Sequence, residues 1–189
     1  MKDLKSNTRK LTFMGVMLAL TIAFVVMTAV PTTAASMALV MFIPTFATAI
    51  IYGPKAGMLM GFFAGIATML RAILAPMSPF DYLFINPLVS VLPRTFIGFF
   101  AYYGYYFVKK IFKNEKISIA LGGAIGAASN TALVMTMLYI VYASEIIEMA
   151  GVSFKVFLIT VITTSAVIEA IAGAILTLPI VIAFNKLNK

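Results

Sequence analysis

Long apolar blocks separated by short polar stretches run through almost the whole sequence, and they limit the folds open to it. An α-helix needs about 20 mostly apolar residues to cross the hydrocarbon core of a bilayer. Of the 189 residues, 62% are hydrophobic and 11% are charged, whereas soluble domains carry about 25% charged residues. The sequence therefore predicts an all-α, polytopic membrane protein whose residues 1–189 form one six-helix domain. The predicted spans are approximately 11–30, 32–52, 56–74, 87–108, 117–142 and 154–184.

The distribution of positive charge predicts how this bundle is oriented. Six spans place both ends of the chain on one side of the membrane, and most of the basic residues fall on that side. They are Lys2, Lys5, Arg9, Lys10, Lys55, Lys109, Lys110, Lys113, Lys116, Lys186 and Lys189. The other side holds only Lys155, together with Asp81, Glu145 and Glu148. Because cytoplasmic loops carry an excess of Lys and Arg, both termini are predicted to be cytoplasmic, in the plasma membrane. The net charge of +8 then reflects orientation and contact with the bilayer rather than nucleic-acid binding.

Missing residues and motifs exclude several chemistries. The sequence has no cysteine and no histidine, which excludes disulfides, thiolate metal sites and imidazole-based catalysis. It also lacks the Gly-x-x-x-x-Gly-Lys-Ser/Thr loop that binds nucleotide phosphates and any acidic cluster typical of a metal-dependent membrane hydrolase. We therefore predict no enzyme activity, no metal and no cofactor. If transport is driven by ATP, hydrolysis is expected on partner subunits.

Arg94 lies about two turns inside the fourth predicted span, directly after Pro93. An arginine at the centre of a spanning helix costs roughly 2.5–3.5 kcal/mol on insertion scales, so a partner for its charge is expected. In the predicted orientation, Asn130 on the fifth span and Glu169 on the sixth lie at a comparable depth, in the outer half to the middle of the membrane.

Two interpretations of these three residues remain open. One is a small-molecule pocket open to the outside, in which Arg94 holds a carboxylate through two parallel hydrogen bonds. In that pocket Asn130 offers a donor and an acceptor, and Glu169 accepts from ligand hydroxyls or orients Arg94. The other interpretation is a buried Arg94–Glu169 ion pair that only joins helices.

The connection between the third and fourth spans adds further candidates. Arg71, near the outer end of the third span, either extends its charge to the interface or lines the pocket mouth. Asp81 and Tyr82, in the outer loop, either form a lid or are solvated loop residues.

A stripe of small residues on the first span is a candidate contact with another helix. Gly15, Ala19 and Ala23 recur every four residues, a spacing that lets helix backbones approach closely. The stripe serves either a partner subunit or a neighbour within the bundle.

Several stretches together resemble a known family of membrane subunits. They are Ala19-Leu-Thr-Ile-Ala23, Ile43-Pro44 with Tyr52-Gly-Pro-Lys-Ala-Gly57, Asn86-Pro-Leu-Val-Ser-Val-Leu-Pro-Arg94, Gly126-Ala-Ala-Ser-Asn-Thr131, and the sixth span with Glu169. The chain resembles the S component, the substrate-binding subunit, of an energy-coupling factor (ECF) vitamin transporter. Pro-Arg-x-x-x-Gly together with Ser-Asn-Thr is most similar to the pantothenate type within the riboflavin/pantothenate group.

This resemblance implies a six-helix subunit that binds a vitamin from outside and docks on a transmembrane coupling subunit with two ATPase subunits. Ala19 and Ala23 would contact the coupling subunit, with Gly15 on the same stripe. Asn86, in the Asn-Pro run, joins the substrate-binding candidates. Pantothenate, with a carboxylate, an amide and hydroxyls, suits Arg94, Asn130 and Glu169.

Other functions remain open from the residues alone. Riboflavin, or another vitamin of the same transporter class, is an alternative substrate. A stand-alone secondary carrier of a small organic anion would need no ATPase partner, and a purely structural membrane subunit would bind no ligand.

Overall fold

The structure, a computed structural model, describes residues 2–30 and 40–187, and for residues 2–6 it describes the backbone alone. All regular secondary structure in these ranges is helical, which confirms the all-α class. The α-helices are α1 (Lys2–Met27), α2 (Ile43–Tyr52), α3 (Pro54–Leu74), α4 (Pro87–Ser90), α5 (Leu92–Phe112), α6 (Glu115–Ala150), α7 (Phe154–Val161) and α8 (Val167–Leu187). A 3-10 helix, Pro79–Ile85, precedes α4, and a π-helical turn, Ile162–Ala166, joins α7 to α8.

Several of these helices are long and apolar enough to cross a bilayer, as a polytopic membrane protein requires. Four such stretches are described, namely Asn7–Met27, Pro54–Leu74, Glu115–Ala150 and Phe154–Leu187. Counting Pro79–Ile85 and Pro87–Phe112, which meet at a bend of 93°, as one broken span gives up to five. The second predicted span is described only in part, as the 10-residue α2, since its residues 32–39 lie outside the described ranges. The count of six spans and the single domain therefore stay predictions.

Close backbone packing holds the central helices together. A Cβ atom added at Gly65 of α3 would lie 2.7 Å from the Cα atom of Val91, where α4 meets α5. A Cβ atom at Gly173 of α8 would lie 2.7 Å from the carbonyl oxygen of Gly123 in α6. Small residues permit such approach in membranes, where van der Waals packing replaces the hydrophobic effect between helices. In this arrangement α5 packs between α3 and α6, α8 packs on α6, and α1 lies on α2 and α3.

Three aromatic rings pack against one another at one end of the bundle. Phe13, Tyr52 and Phe184 pack edge to face with ring centroids 4.8 to 5.6 Å apart. This cluster places the first half of α1 beside the C-terminal ends of α2 and α8. Gly53, with φ at 91°, makes the one-residue turn from α2 into α3, because a positive φ is readily adopted by glycine.

A polar network closes the short connection from α5 to α6. The Lys109 ammonium lies 2.6 Å from a carboxylate oxygen of Glu115. The Tyr105 hydroxyl accepts from Lys109 at 2.7 Å and donates to Glu115 at 2.8 Å. The network ties the last turns of α5 to the first residue of α6.

The connection from α3 to α4, predicted as an outer loop, contains a capped 3-10 helix. Ser78 caps the 3-10 helix in a capping box, in which the Asp81 side chain accepts from the Ser78 backbone N–H at 3.1 Å. The Ser90 hydroxyl donates to the carbonyl oxygen of Phe84, so the 3-10 helix is fastened to α4. These polar side chains therefore hold the connection in a defined helical conformation.

The helix α6 extends further than predicted. It has 36 residues, or roughly 54 Å, against a hydrocarbon core of about 30 Å. The predicted end of the span, residue 142, is instead a kink at Tyr142 (φ −136°, ψ 27°). Most of the connection between the fifth and sixth predicted spans, residues 143–153, is therefore helical, since the chain stays helical to Ala150 and Glu145 and Glu148 lie on that helix. The sequence gives the reason, since no glycine or proline occurs between Gly126 and Gly151, where the helix ends.

Candidate functional site

The position of the Arg94 side chain follows from a break in the helical hydrogen bonding of the fourth predicted span. Pro93 has no N–H to give to the carbonyl of Val89 four residues earlier. The Arg94 guanidinium donates there instead, from Nη1 to the Val89 oxygen at 3.2 Å and to the Ser90 oxygen at 2.8 Å. The helix is interrupted at Val91, so Arg94 is the third residue of α5 rather than a residue two turns inside an unbroken helix.

Two aromatic rings enclose this guanidinium. Its Cζ atom lies 5.4 Å from the ring centroids of both Phe42 and Phe84, and Arg94 is only 5% exposed. A desolvated cation over aromatic faces gains about 2 kcal/mol or more per contact. The rings therefore offset part of the cost of burying the charge.

One edge of the Arg94 guanidinium is left without a partner. Its Nε atom is buried and finds no hydrogen-bond acceptor among the described residues. Its Nη2 atom makes no hydrogen bond to them either, because both hydrogen bonds of Arg94 come from Nη1. The Nε and Nη2 N–H groups point in parallel and form the edge that binds a carboxylate with two hydrogen bonds. An anionic ligand could accept the two hydrogen bonds that this edge offers.

A cavity of about 280 Å³ borders this guanidinium. Its described wall consists of Thr28, Met41, Thr68, Arg71, Met77, Ser78, Asp81, Phe84 and Arg94. Thr28 and Met41 flank residues 31–39, which lie outside the described ranges. The volume is just below the range of about 300–1,000 Å³ usual for ligand pockets, so the cavity suits a small ligand.

Arg71 and Asp81, two of the predicted residues, form an ion pair on the cavity wall. The Arg71 Nη2 atom donates to Asp81 Oδ1, and Nη1 lies 3.2 Å from Oδ2. The backbone N–H groups of Met77 and Ser78 donate to Oδ2 at 2.6 and 3.1 Å. Burial by itself would raise the pKa of the Asp81 carboxyl, but the Arg71 guanidinium and these N–H groups hold that pKa below its ordinary value. Asp81, in the connection between two spans, is thus kept ionised.

Glu169 and Asn130 lie on a different part of the bundle wall. The Thr131 hydroxyl of α6 donates to Glu169 Oε2 of α8 at 3.1 Å. Thr131 also lines an open groove of about 840 Å³ between α6 and the segment formed by α7 and the π-helical turn. The neighbouring Asn130 keeps its Oδ1 atom buried without a hydrogen-bond partner in the described chain. This orphaned acceptor could take a ligand N–H or hydroxyl donor.

The structure does not contain the Arg94–Glu169 ion pair that was the alternative interpretation. The ion pairs within 4.0 Å in the described ranges are Arg71–Asp81 and Lys109–Glu115. Arg94 and Glu169 are close enough for their charges to interact, but without direct contact. Arg94, Arg71 and Asp81 share one cavity, whereas Asn130 and Glu169 stand outside its described wall.

Two other candidate ligand-binding residues, Tyr82 and Asn86, lie outside the described cavity wall. Tyr82 is 67% exposed and does not belong to the described cavity wall. Asn86 caps α4 by accepting from the Leu88 N–H at 2.9 Å, and its Nδ2 donates to the Tyr142 hydroxyl at 3.3 Å. A role of either side chain in ligand binding stays a prediction.

The small-residue stripe on α1 faces away from the bundle. Gly15, Ala19 and Ala23 are all exposed, and a Cβ atom added at Gly15 would have no atom within 4 Å. The buried residues Thr21 and Val25 are on the packed side of the same helix. The stripe therefore serves no close packing within the described bundle.

Sequence reasoning missed the residues that surround the candidate ligand groups. Phe42 and Phe84 hold the guanidinium, and Thr131 holds Glu169. Thr131 carried a signal, since it directly follows Asn130 in the Ser-Asn-Thr run. The two phenylalanines carried none, because 16 phenylalanines are spread along the chain.

Comparison with known proteins places the chain in a family. A family model described as "ECF transporter, substrate-specific component" matches residues 9–181. The protein belongs to the substrate-specific (S) components of ECF transporters. Among curated proteins, this S component is 27% identical over 158 residues to the "Pantothenic acid transporter PanT" of Lactococcus lactis subsp. cremoris, an alignment that covers 76% of each chain.

Family membership confirms the resemblance seen in the sequence and sets the general role. S components are transport subunits, so this one is a multi-pass membrane transport protein and not an enzyme. It serves as the substrate-specific, vitamin-binding subunit of an ECF transporter, and the ECF module supplies its partners.

Proposed function

We propose that this S component binds pantothenate, and that the Nε/Nη2 edge of Arg94 receives the vitamin's carboxylate. The observation that carries the proposal is the buried guanidinium whose parallel donors have no acceptor in the described chain, beside a cavity of about 280 Å³. A buried donor without a partner costs about 1–3 kcal/mol, and more when it is charged. Binding a carboxylate would recover that cost.

The chemistry of the wall favours pantothenate over riboflavin. Riboflavin is a flat, uncharged ring system, so it would leave the charge of the buried Arg94 guanidinium unmatched. Pantothenate brings one carboxylate for Arg94, together with an amide and hydroxyl groups for polar neighbours such as Thr68 and Ser78. The similarity to a protein named as a pantothenic acid transporter supports the same choice.

The proposal includes an orientation and a docking face. The basic ends of the chain lie on the cytoplasmic side, as the excess of Lys and Arg there predicts, so the Arg94 cavity lies towards the outside. The exposed stripe Gly15, Ala19 and Ala23 meets the transmembrane coupling subunit, and two ATPase subunits supply the energy. A stand-alone secondary carrier would instead take up the vitamin in vesicles that lack these partners.

A thermal-shift panel on the purified protein, without ATP, tests the proposal. Pantothenate is expected to raise the unfolding temperature, since a ligand at 100 times its Kd adds roughly 2.7 kcal/mol of stability. The matched control is pantothenol, in which an alcohol replaces the carboxylate, and it is expected to give little shift. Riboflavin and other vitamins complete the panel. Stabilisation by riboflavin alone, or equal stabilisation by pantothenate and pantothenol, would refute the assignment of Arg94 to a carboxylate.

A further inference from the structure

The Arg94 cavity has three charged groups on its described wall, and two of them cancel. Arg71 and Asp81 are paired, with side chains only 17% and 10% exposed. Asp81 Oδ2 also accepts from the Met77 and Ser78 N–H groups, and Arg71 Nη1 is 3.5 Å from the carbonyl oxygen of Ala75. Both oxygens of this carboxylate therefore accept hydrogen bonds from the protein, and its charge is paired with that of Arg71.

Arg94 supplies the charge that remains. Its own hydrogen bonds go to neutral carbonyl oxygens, so no other group on the described wall neutralises its positive charge. Glu169 interacts with that charge only at a distance and stands outside this wall. Residues 31–39, next along the chain from Thr28, contain no charged side chain, so they cannot change this sum. Glu169 belongs to the Thr131 contact and forms no ion pair with Arg94.

We propose that Asp81 determines charge selectivity: by neutralising Arg71, it leaves the cavity with one net positive charge, which selects monoanionic carboxylates over phosphate esters. The inference rests on the function proposed above and names the substrate class of that same site. A phosphate ester carries about −1.5 to −2 charges at pH 7, so in this cavity part of its charge stays unpaired. An uncompensated charge is unfavourable in a buried site, whereas the single charge of a carboxylate is matched.

Binding measurements on the unmodified protein, three variants and one control test the charge account. The full chain, purified in neutral detergent, is titrated calorimetrically with pantothenate and with pantothenate phosphorylated on its primary hydroxyl. The variants are Asp81→Asn (two net positive charges on the wall), Arg71→Gln (none) and the double variant Arg71→Gln/Asp81→Asn (one, as in the unmodified protein). The change at position 81 is nearly isosteric, and both introduced side chains are amides that offer a donor and an acceptor. Glu148→Gln, an exposed change of the same charge on α6, is the matched control.

The expected results differ for each variant. The unmodified protein binds pantothenate more tightly than phosphorylated pantothenate. Asp81→Asn lowers the ratio of these two affinities at least about tenfold, equivalent to 1.4 kcal/mol. Arg71→Gln weakens both ligands, while the double variant and Glu148→Gln keep the original ratio of affinities. If Asp81→Asn unfolds, the comparison of Arg71→Gln with the double variant still tests the role of Asp81, since those two proteins differ only at residue 81.

Two failures can be told apart. If the unmodified protein does not bind pantothenate, the proposed function is refuted and the charge selection falls with it. If pantothenate binds but the affinity ratio is the same in all four proteins, only the charge selection is overturned, and the size of the cavity then sets the preference.

Discussion

Gly57 of α3 and Gly98 of α5 bring two helix backbones into direct contact. A Cβ atom added at Gly98 would lie 2.6 Å from the Cα atom of Gly57, closer than real Cβ atoms approach a neighbour's backbone. Because Arg94 is the third residue of α5, this contact also fixes where the guanidinium stands relative to α3. Packing here is backbone against backbone, so no side chain can rotate away to relieve a clash.

We expect Gly98→Ala to destabilise the protein by about 1–3 kcal/mol, the usual cost of overpacking a filled core. Thermal unfolding in detergent micelles measures the change. The control is Gly15→Ala on α1, where an added Cβ meets nothing within 4 Å and alanine favours the helix. Equal unfolding temperatures for both variants would contradict the close contact.

The hydrogen bond from Thr131 to Glu169 joins α6 to α8, and its removal leaves a partly buried carboxylate without that donor. We expect Thr131→Val to lower stability by about 1.5–3 kcal/mol, the range for hydrogen bonds to charged groups. Thr136→Val is the matched control, since its exposed hydroxyl donates only to the Ala132 carbonyl of its own helix. The comparison uses thermal unfolding at neutral pH, and similar shifts for both variants would show that the inter-helix bond contributes little.

Arg94→Lys separates charge from geometry at the candidate site. Lysine keeps the positive charge but lacks two parallel N–H donors. We expect pantothenate affinity to fall at least about tenfold, or 1.4 kcal/mol, as measured by calorimetry. Arg9→Lys, an exposed arginine on α1, should bind as the unmodified protein does. Unchanged affinity in Arg94→Lys would mean that the carboxylate is held elsewhere.

The apolar blocks identified most of the helices because a bilayer span is a property of composition summed over about 20 residues. Boundaries depend on single residues and were less accurate. The 3-10 helix at Pro79–Ile85 forms because Ser78 and Asp81 cap it, and a bend of 93° separates it from the helical segment that begins at Pro87. Neither feature changes the hydropathy of the segment, so the pattern could not reveal it.

For the candidate site, the sequence identified which charges needed partners but could not say which partners they had. Arg94 was expected to face Asn130 and Glu169 because all three have similar predicted depth. Depth fixes position along a helix, while the side of the helix that faces the cavity depends on rotation about its axis. That rotation follows from contacts such as Gly57 with Gly98, which only the folded bundle shows.

The exposed stripe on α1 gives the last prediction, on assembly. Ala19→Leu adds bulk to a face that packs on nothing in the described bundle, so the isolated protein should keep its stability and its pantothenate affinity. If the face docks on the coupling subunit, the larger side chain prevents close approach of the helices, and co-purification with the coupling and ATPase subunits should be lost. The control is Ala132→Leu, which makes the same substitution at an exposed position of α6. Since α1 packs on α2 and α3, Ala132 lies away from the α1 face, and this variant should assemble normally. Normal assembly of Ala19→Leu would place the docking surface on another helix, while loss of assembly in both variants would indicate a general effect of added bulk.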